Sequence, residues 1–350
     1  MKNRSFIRWF VPTLAAIFLL ALVTGCGSDS KPASPTASTG AGPGEKITLK
    51  LAHNLPITNH MARGMENFSK KVSEKSKGSV TVQIYPSGQL YNDKSMNDAL
   101  MAGGIDIGLN STAMWASVIP VMEIFDVPFL FPSYEKVAKA LEGGVGEKLA
   151  GEMEKKGVRP LIWVDYGFVQ FANSKRPLTK PEDFKGLKMR GYGELPSETI
   201  KALGAAPVTM GAGEVYMALQ RNTIDGQTSG TTAMMDRKMY EVSKYLTITN
   251  HAFPEFIASM NLKSWNKLSA DQKKAVQEAA KEVEKDIRSQ VKTEEEKALK
   301  GLTEKGMQVY VVPENEIAAW QKATESVHAL FIKRTGDVGK QMVDFCKNLK

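Results

Sequence analysis

The sequence predicts an α/β protein of two lobes, each a mostly parallel sheet covered by helices. Three observations carry that expectation. From residue 47 onward, stretches with the two-residue hydrophobic period of strands alternate with stretches at helical spacing. The order β-α-β-α-β at the start requires helical crossovers between parallel strands. The chain has 350 residues, more than one compact core usually holds, so the folded material divides in two.

The elements follow in order. Ile47 to Ala52 alternates as a strand, and Asn59 to Lys77 carries Met61, Met65, Phe68 and Val72 at helical spacing. Val80 to Tyr85 is a second strand, stopped by Pro86. Lys94 to Ala102 is a short helix, Gly103-Gly104 ends it, and Ile105 to Leu109 is a third strand. The middle of the chain repeats the logic. Arg159 to Tyr166 and Gly186 to Arg190 read as strands, Leu195 to Leu203 as a helix, and Ala206 to Met210 as extended chain. Glu214 to Arg221 is helical, and Ile224 to Gln227 is a strand or turn. Ser269-Ala-Asp-Gln272 is a capping box that opens a long amphipathic helix. Its later part, Glu278 to Lys300, is rich in Glu and Lys four apart and is expected to face solvent.

Ahead of these elements lies a leader. Lys2, Arg4 and Arg8 precede an apolar stretch from Trp9 to Val23, too short and too interrupted by Pro12 for a spanning helix of about 20 residues. It ends Leu22-Val-Thr-Gly-Cys26, which resembles the lipobox of bacterial lipoproteins and so implies export and a lipid on Cys26. Residues 1–25 are then a signal peptide. Residues 26–44, nearly all small, polar or Pro, form a flexible tether, and the folded body runs over 45–350. The other cysteine, Cys346, has no disulfide partner once Cys26 is lipidated and is expected to be buried in a C-terminal helix.

Composition excludes several classes of function. The net charge of +8 arises from 46 basic and 38 acidic residues. Without the three basic residues of the leader it is +5, and Lys alternates with Glu rather than forming a stripe, so no nucleic acid is expected as partner. The sequence contains no GxSxG, HExxH, CxxC or phosphate loop, and no catalytic residue or cofactor is expected. His53 and His60, separated across Pro56, do not share a helix face, so no metal site is expected. Strand ends are where open α/β sheets bind ligands. This marks Asn54, beside His53, and Ser111, beside Asn110, as candidate pocket residues.

From Trp163 to His251 the chain carries a longer pattern. Phe184-Lys-Gly-Leu-Lys-Met-Arg190, Ala202-Leu-Gly-Ala-Ala-Pro207, Glu214-Val-Tyr-Met-Ala-Leu219, Ile224-Asp-Gly-Gln227 and Tyr240 to His251 resemble the DctP-type solute-binding proteins of TRAP transporters. Tyr85-Pro-Ser-Gly-Gln-Leu90 and the C-terminal segments extend the resemblance over nearly everything after Glu45. It implies a two-lobed fold like that of type II periplasmic binding proteins, with crossing strands and a long helix spanning the lobes. On that pattern lobe I takes about 45–166 and 255–295, and lobe II about 167–254 and 296–345. It further implies a monomer that clamps a small organic anion and passes it to a membrane permease working without ATP. A signalling receptor in place of the permease, and a dicarboxylate in place of a monocarboxylate, stand as alternatives.

The resemblance assigns carboxylate recognition to Arg190, whose guanidinium fork matches a carboxylate and stays charged. Other positions depart from the family pattern. Val169 stands where sialate- and dicarboxylate-binding members often carry a second arginine, Ser229 where asparagine is common, and Ala212 where an aromatic wall is usual. With Trp115, Tyr192, Met114 and Val169 expected to line the space, and no evident charge for a second carboxylate, the expected ligand is a monocarboxylate with an apolar or aromatic body.

Overall fold

The computed structural model describes residues 45–349. The expectations for the leader, for Cys26 and for most of the tether lie outside those residues. β1 (Ile47–His53) leads through α1 (His60–Lys75) to β2 (Val80–Tyr85), and α2 (Met96–Ala102) leads to β3 (Ile107–Ser111). Asn59 starts α1 by accepting the Met61 N–H at 3.1 Å, which satisfies one of the helix's open donors. Next come α3 (Thr112–Trp115), α4 (Tyr134–Ala140), α5 (Gly146–Glu154) and β4 (Val158–Asp165). The second lobe is built from β5 (Val169–Asn173), β6 (Lys188–Gly191), α6 (Glu194–Ala202), β7 (Ala206–Thr209), α7 (Val215–Gln220), β8 (Gly226–Gly230), α8 (Thr231–Asp236) and β9 (Tyr245–Ala252). The chain ends with β10 (Glu255–Asn261), α9 (Leu262–Lys267), α10 (Ala270–Glu304), β11 (Gln308–Val311) and α11 (Ile317–Asn348).

Two sheets result, one in each lobe. The first has the order β2-β1-β3-β10-β4 and the second β11-β9-β5-β8-β6-β7. Most neighbours within the β-α-β stretches are parallel, as the crossovers require. The exceptions are instructive. β5 arrives from β4 of the other lobe and runs against β8 and β9, and β10 arrives from β9 and runs against β3 and β4. Each sheet is therefore mixed around the strand that crosses into it, and the two crossings, residues 166–168 and 253–254, lie side by side between the lobes.

A third link is α10, which packs on α1 and β4 of the first lobe and on α8 of the second. Its capping box forms as expected, with the Ser269 side chain accepting from Gln272 N and the Gln272 side chain accepting from Ser269 N. Gly64 lets α1 approach it closely, since a Cβ there would sit 2.5 Å from Ile287 Cδ1. The expectation that Glu278 to Lys300 faces solvent needs correction. Val283, Ile287, Val291, Glu295, Ala298 and Leu302 are buried in helical steps along one face, and the Glu/Lys pairs occupy only the opposite face.

Two further differences concern boundaries. β3 begins and ends two residues later than its hydrophobic run, so Asn110 and Ser111 are its last residues rather than loop. α11 is shared between lobes: Trp320 packs with Phe184 of the second lobe, while Val327, Phe331, Val343 and Cys346 join the core that holds Ala52, Leu100 and Ile257 of the first. Cys346 is buried there, and burial pushes its thiol up to about 11, which leaves it protonated and unreactive.

Candidate functional site

Between the lobes lies a cleft walled by the carboxyl ends of strands, where an open α/β sheet leaves backbone and side chains free to meet a ligand. Arg190, near the end of β6, is its most constrained member. It is 4% exposed, donates from Nε to Met210 O at 3.1 Å and from Nη1 to Thr228 O at 3.2 Å, and its guanidinium sits 5.5 Å from the Tyr192 ring centroid. Both bonds go to neutral carbonyls, and among the described residues Arg190 forms no ion pair. Burial, above all, pushes its pKa down, with Arg237 adding to the effect. Two of the guanidinium's five donors are used on these carbonyls, and a buried guanidinium with donors to spare can pair chemically with an anion.

Seven of the expected residues meet here: Arg190, Asn54, Ser111, Met114, Tyr192, Ala212 and Ser229 all line the cleft. Ser111 also caps α3, accepting the Met114 N–H at 3.3 Å. Tyr192 donates to Asp126 Oδ1 at 2.6 Å, and burial raises the Asp126 carboxyl to about 8, so that this neighbour is neutral near pH 7. Ser229 bonds the Tyr166 hydroxyl at 3.0 Å, and the Tyr166 ring stacks on Phe256 at 5.2 Å to form an aromatic wall. Asn54 Oδ1 and Gln227 Nε2 are buried at the cleft without a hydrogen-bond partner among the described residues, one an acceptor and the other a donor.

Two expected residues are not in the cleft. Trp115 is fully buried in the first-lobe core, because the short helix α3 turns its indole inward while Met114, one position earlier, faces the cleft. Val169 is fully buried beside Tyr166 and Ala252, since the first residue of β5 points to the core face of its strand.

The sequence reading also missed two charges. Asp93, in the loop before α2, and Arg237, just after α8, both line the cleft. Each reaches across it. Asp93 Oδ2 of the first lobe accepts the Ala212 N–H of the second at 3.0 Å, and Arg237 Nη2 of the second lobe donates to Asn54 O of the first at 3.1 Å. Lys94 and Glu214 add an exposed pair at 3.4 Å, and Asp236 accepts from Thr58 and Asn59 at 2.8 Å each. The lobes are thus shut on each other along this line. Arg237 is a second cation in the cleft that the sequence reading did not expect, and Asp93 on the same wall offsets one of the two positive charges. His53 adds no cation: it lies outside the cleft, and burial lowers its imidazole to about 4. Among the described residues no cluster of three or more His, Cys, Asp or Glu could hold a metal, and no helix is long and apolar enough to cross a membrane.

Comparison with known proteins places this cleft in a family. Residues 51–335 match the model of the bacterial extracellular solute-binding proteins, family 7. The C4-dicarboxylate-binding periplasmic protein DctP of Rhodobacter capsulatus is 32% identical over 295 residues, covering 83% of this chain and 88% of that protein. A TRAP periplasmic solute-binding protein from Sulfurospirillum deleyianum, solved with bound succinate, superposes with a TM-score of 0.82 at 30% identity, over 87% of this chain and 100% of that one. The sugar-acid-binding protein DctPAm of Advenella mimigardefordensis, solved with galactonate, gives 0.83 at 29% identity, over 87% and 98%. With its two mixed sheets, paired crossings and a cleft at the strand ends, the chain belongs to family 7 of the bacterial extracellular solute-binding proteins, the DctP type of TRAP transporters.

Proposed function

We propose that this protein captures a small organic acid as a monoanion and delivers it to a TRAP permease. One observation carries the reading: Arg190 is buried, held by two carbonyls, and forms no ion pair among the described residues. Charge sets the ligand class. The charged side chains lining the cleft are Arg190, Arg237 and Asp93, which leave one positive charge for a ligand to neutralise. A monocarboxylate closes that balance, whereas a dicarboxylate would leave an uncompensated negative charge in a buried site. The body of the ligand meets two kinds of surface. Tyr166, Phe256 and Met114 offer an apolar face, and Asp93 and Asn54 offer acceptors for hydroxyls. The apolar body expected from sequence is thereby extended to one with hydroxyl or keto groups on one edge. The known relatives span both charge classes, with succinate in one solved neighbour and galactonate in another.

A thermal-shift screen of the purified protein against organic acids tests this. Monocarboxylates of four to six carbons should raise the melting temperature most, because a ligand at a hundredfold its Kd stabilises by about 2.7 kcal/mol. Larger shifts with succinate or malate than with every monocarboxylate would refute the charge count.

Lipid anchoring at Cys26 is the second part of the reading, supported by Leu22-Val-Thr-Gly-Cys26 and the polar stretch after it. Cys26→Ser should move the protein from the membrane pellet to the soluble fraction. Unchanged fractionation and processing would remove the lipidation site.

A further inference from the structure

We propose that Arg237 is the residue that sets which ligands the closed cleft accepts, reading a second, uncharged oxygen of the bound acid while Asp93 opposite excludes a second carboxylate. This rests on the reading of Arg190 as the carboxylate anchor and extends it to selectivity. Arg237 stands just beyond the carboxyl end of α8, where Asp236 fixes the turn by accepting from Thr58 Oγ1 and Asn59 Nδ2 at 2.8 Å each. Its guanidinium donates one bond, to Asn54 O at 3.1 Å, and forms no ion pair among the described residues. The other donors stand in a cleft wall that also holds Arg190 and Asp93. Two guanidiniums in one small cleft repel; Asp236, outside the cleft wall, acts on Arg237, and Asp93 acts on both and offsets one of the two charges within that wall. Because that carboxylate is already supplied by the protein, the ligand needs only one of its own. The oxygen that meets Arg237 is then a hydroxyl or a carbonyl. Arg237 bonds a carbonyl of the first lobe and Asp93 bonds an amide of the second, so this charge arrangement exists only when the lobes are shut. Selectivity is therefore exerted at closure, through contacts that the open form cannot make.

Calorimetry with three four-carbon acids separates the roles. Butanoate offers a carboxylate alone, erythronate adds hydroxyls, and succinate adds a second carboxylate. The wild-type protein should bind erythronate at least tenfold more tightly than either of the others. Arg237→Met removes the interlobe bond to Asn54 O for every ligand and so weakens all of them, but the loss should be at least tenfold greater for erythronate than for butanoate. Asp93→Asn, which keeps an acceptor for Ala212 N–H, should shift the succinate-to-erythronate ratio at least tenfold towards succinate. Melting curves of the ligand-free variants report whether each still folds, and Arg237→Lys and Asp93→Glu provide readable substitutes if it does not. Ratios within threefold of wild type in the Arg237 and Asp93 variants would overturn the proposal. Wild-type protein that binds none of the three acids would overturn it too. In that case Arg190→Ala, tested on whichever acid the thermal screen selects, shows whether the anchor reading has failed as well.

Discussion

Arg190→Ala should reduce affinity for the acid selected by thermal screening by two to three orders of magnitude, with little loss of stability in the ligand-free protein. The two halves of that expectation have different causes. On the proposed reading the guanidinium faces the ligand carboxylate in a site closed to water, and removing one partner of such a pair costs about 3–5 kcal/mol. At about 1.4 kcal/mol per factor of ten, that is a loss of a hundredfold or more. Without ligand, Arg190 is a buried cation whose hydrogen bonds among the described residues go to the carbonyls of Met210 and Thr228, with the Tyr192 ring beside it. Its desolvation opposes folding, so its removal relieves a cost while leaving two acceptors less well satisfied. Arg190→Lys should also bind weakly, since a single ammonium cannot hold both carbonyls and still present paired donors to a carboxylate. Calorimetry and ligand-free melting curves on the same preparations test both halves. Affinity within threefold of wild type would take Arg190 out of the site, and a fall in melting temperature above about 10 °C would make its role structural.

What the sequence made readable was whatever local chemistry controls. The strands β1 and β2, the helices α1 and α6 and the capping box of α10 lie within a few residues of their hydrophobic and capping signals. The resemblance placed Arg190 at a strand end, and the structure puts it in the cleft. The failures concern direction and distance. Trp115 and Met114 are neighbours in sequence, yet one is core and the other cleft, because which way a four-residue helix faces depends on what packs behind it. Val169, which the resemblance sets where sialate- and dicarboxylate-binding members often carry arginine, turns its side chain inward. Asp93 and Arg237 have no periodic or motif signal. They are 144 positions apart and meet only because the lobes close, so no local pattern could mark them. Glu295 was misjudged for a related reason: in a Glu- and Lys-rich helix, the one glutamate under the lobe crossing looks like the others.

That glutamate should make the protein lose stability as pH rises from 6.5 to 8. Glu295 is 8% exposed in the middle of α10, beneath the first crossing between the lobes. Burial raises its carboxyl to about 8, against the opposing effect of hydrogen bonds from the Tyr134 hydroxyl, at 2.5 Å, and from the Phe168 backbone N–H. The crossing is moulded around it: Gly167 has a φ of +98°, and a Cβ there would collide with the Glu295 carboxyl. In the folded protein the group keeps its proton up to about pH 8, whereas in the unfolded chain it ionises near 4.5. Across that window the folded state holds the extra proton, so its stabilising effect is full below 4.5 and is lost as pH rises. Asp126, also raised to about 8, acts in the same direction. His53 and His251 oppose it at lower pH, because burial lowers them to about 4 and about 3 and stability then rises with pH until their ordinary value of 6.5 is passed. The clean interval is therefore pH 6.5 to 8, where each unit is worth at most about 1.4 kcal/mol per group. Glu295→Gln keeps an acceptor for Tyr134 and cannot ionise, so its stability should fall less steeply there, by about 2 kcal/mol over the interval. Melting curves of wild type and variant at pH 6.5, 7.2 and 8 would show the two converging or crossing. Parallel curves would mean that Glu295 is already ionised at pH 6.5 and that the crossing tolerates its charge.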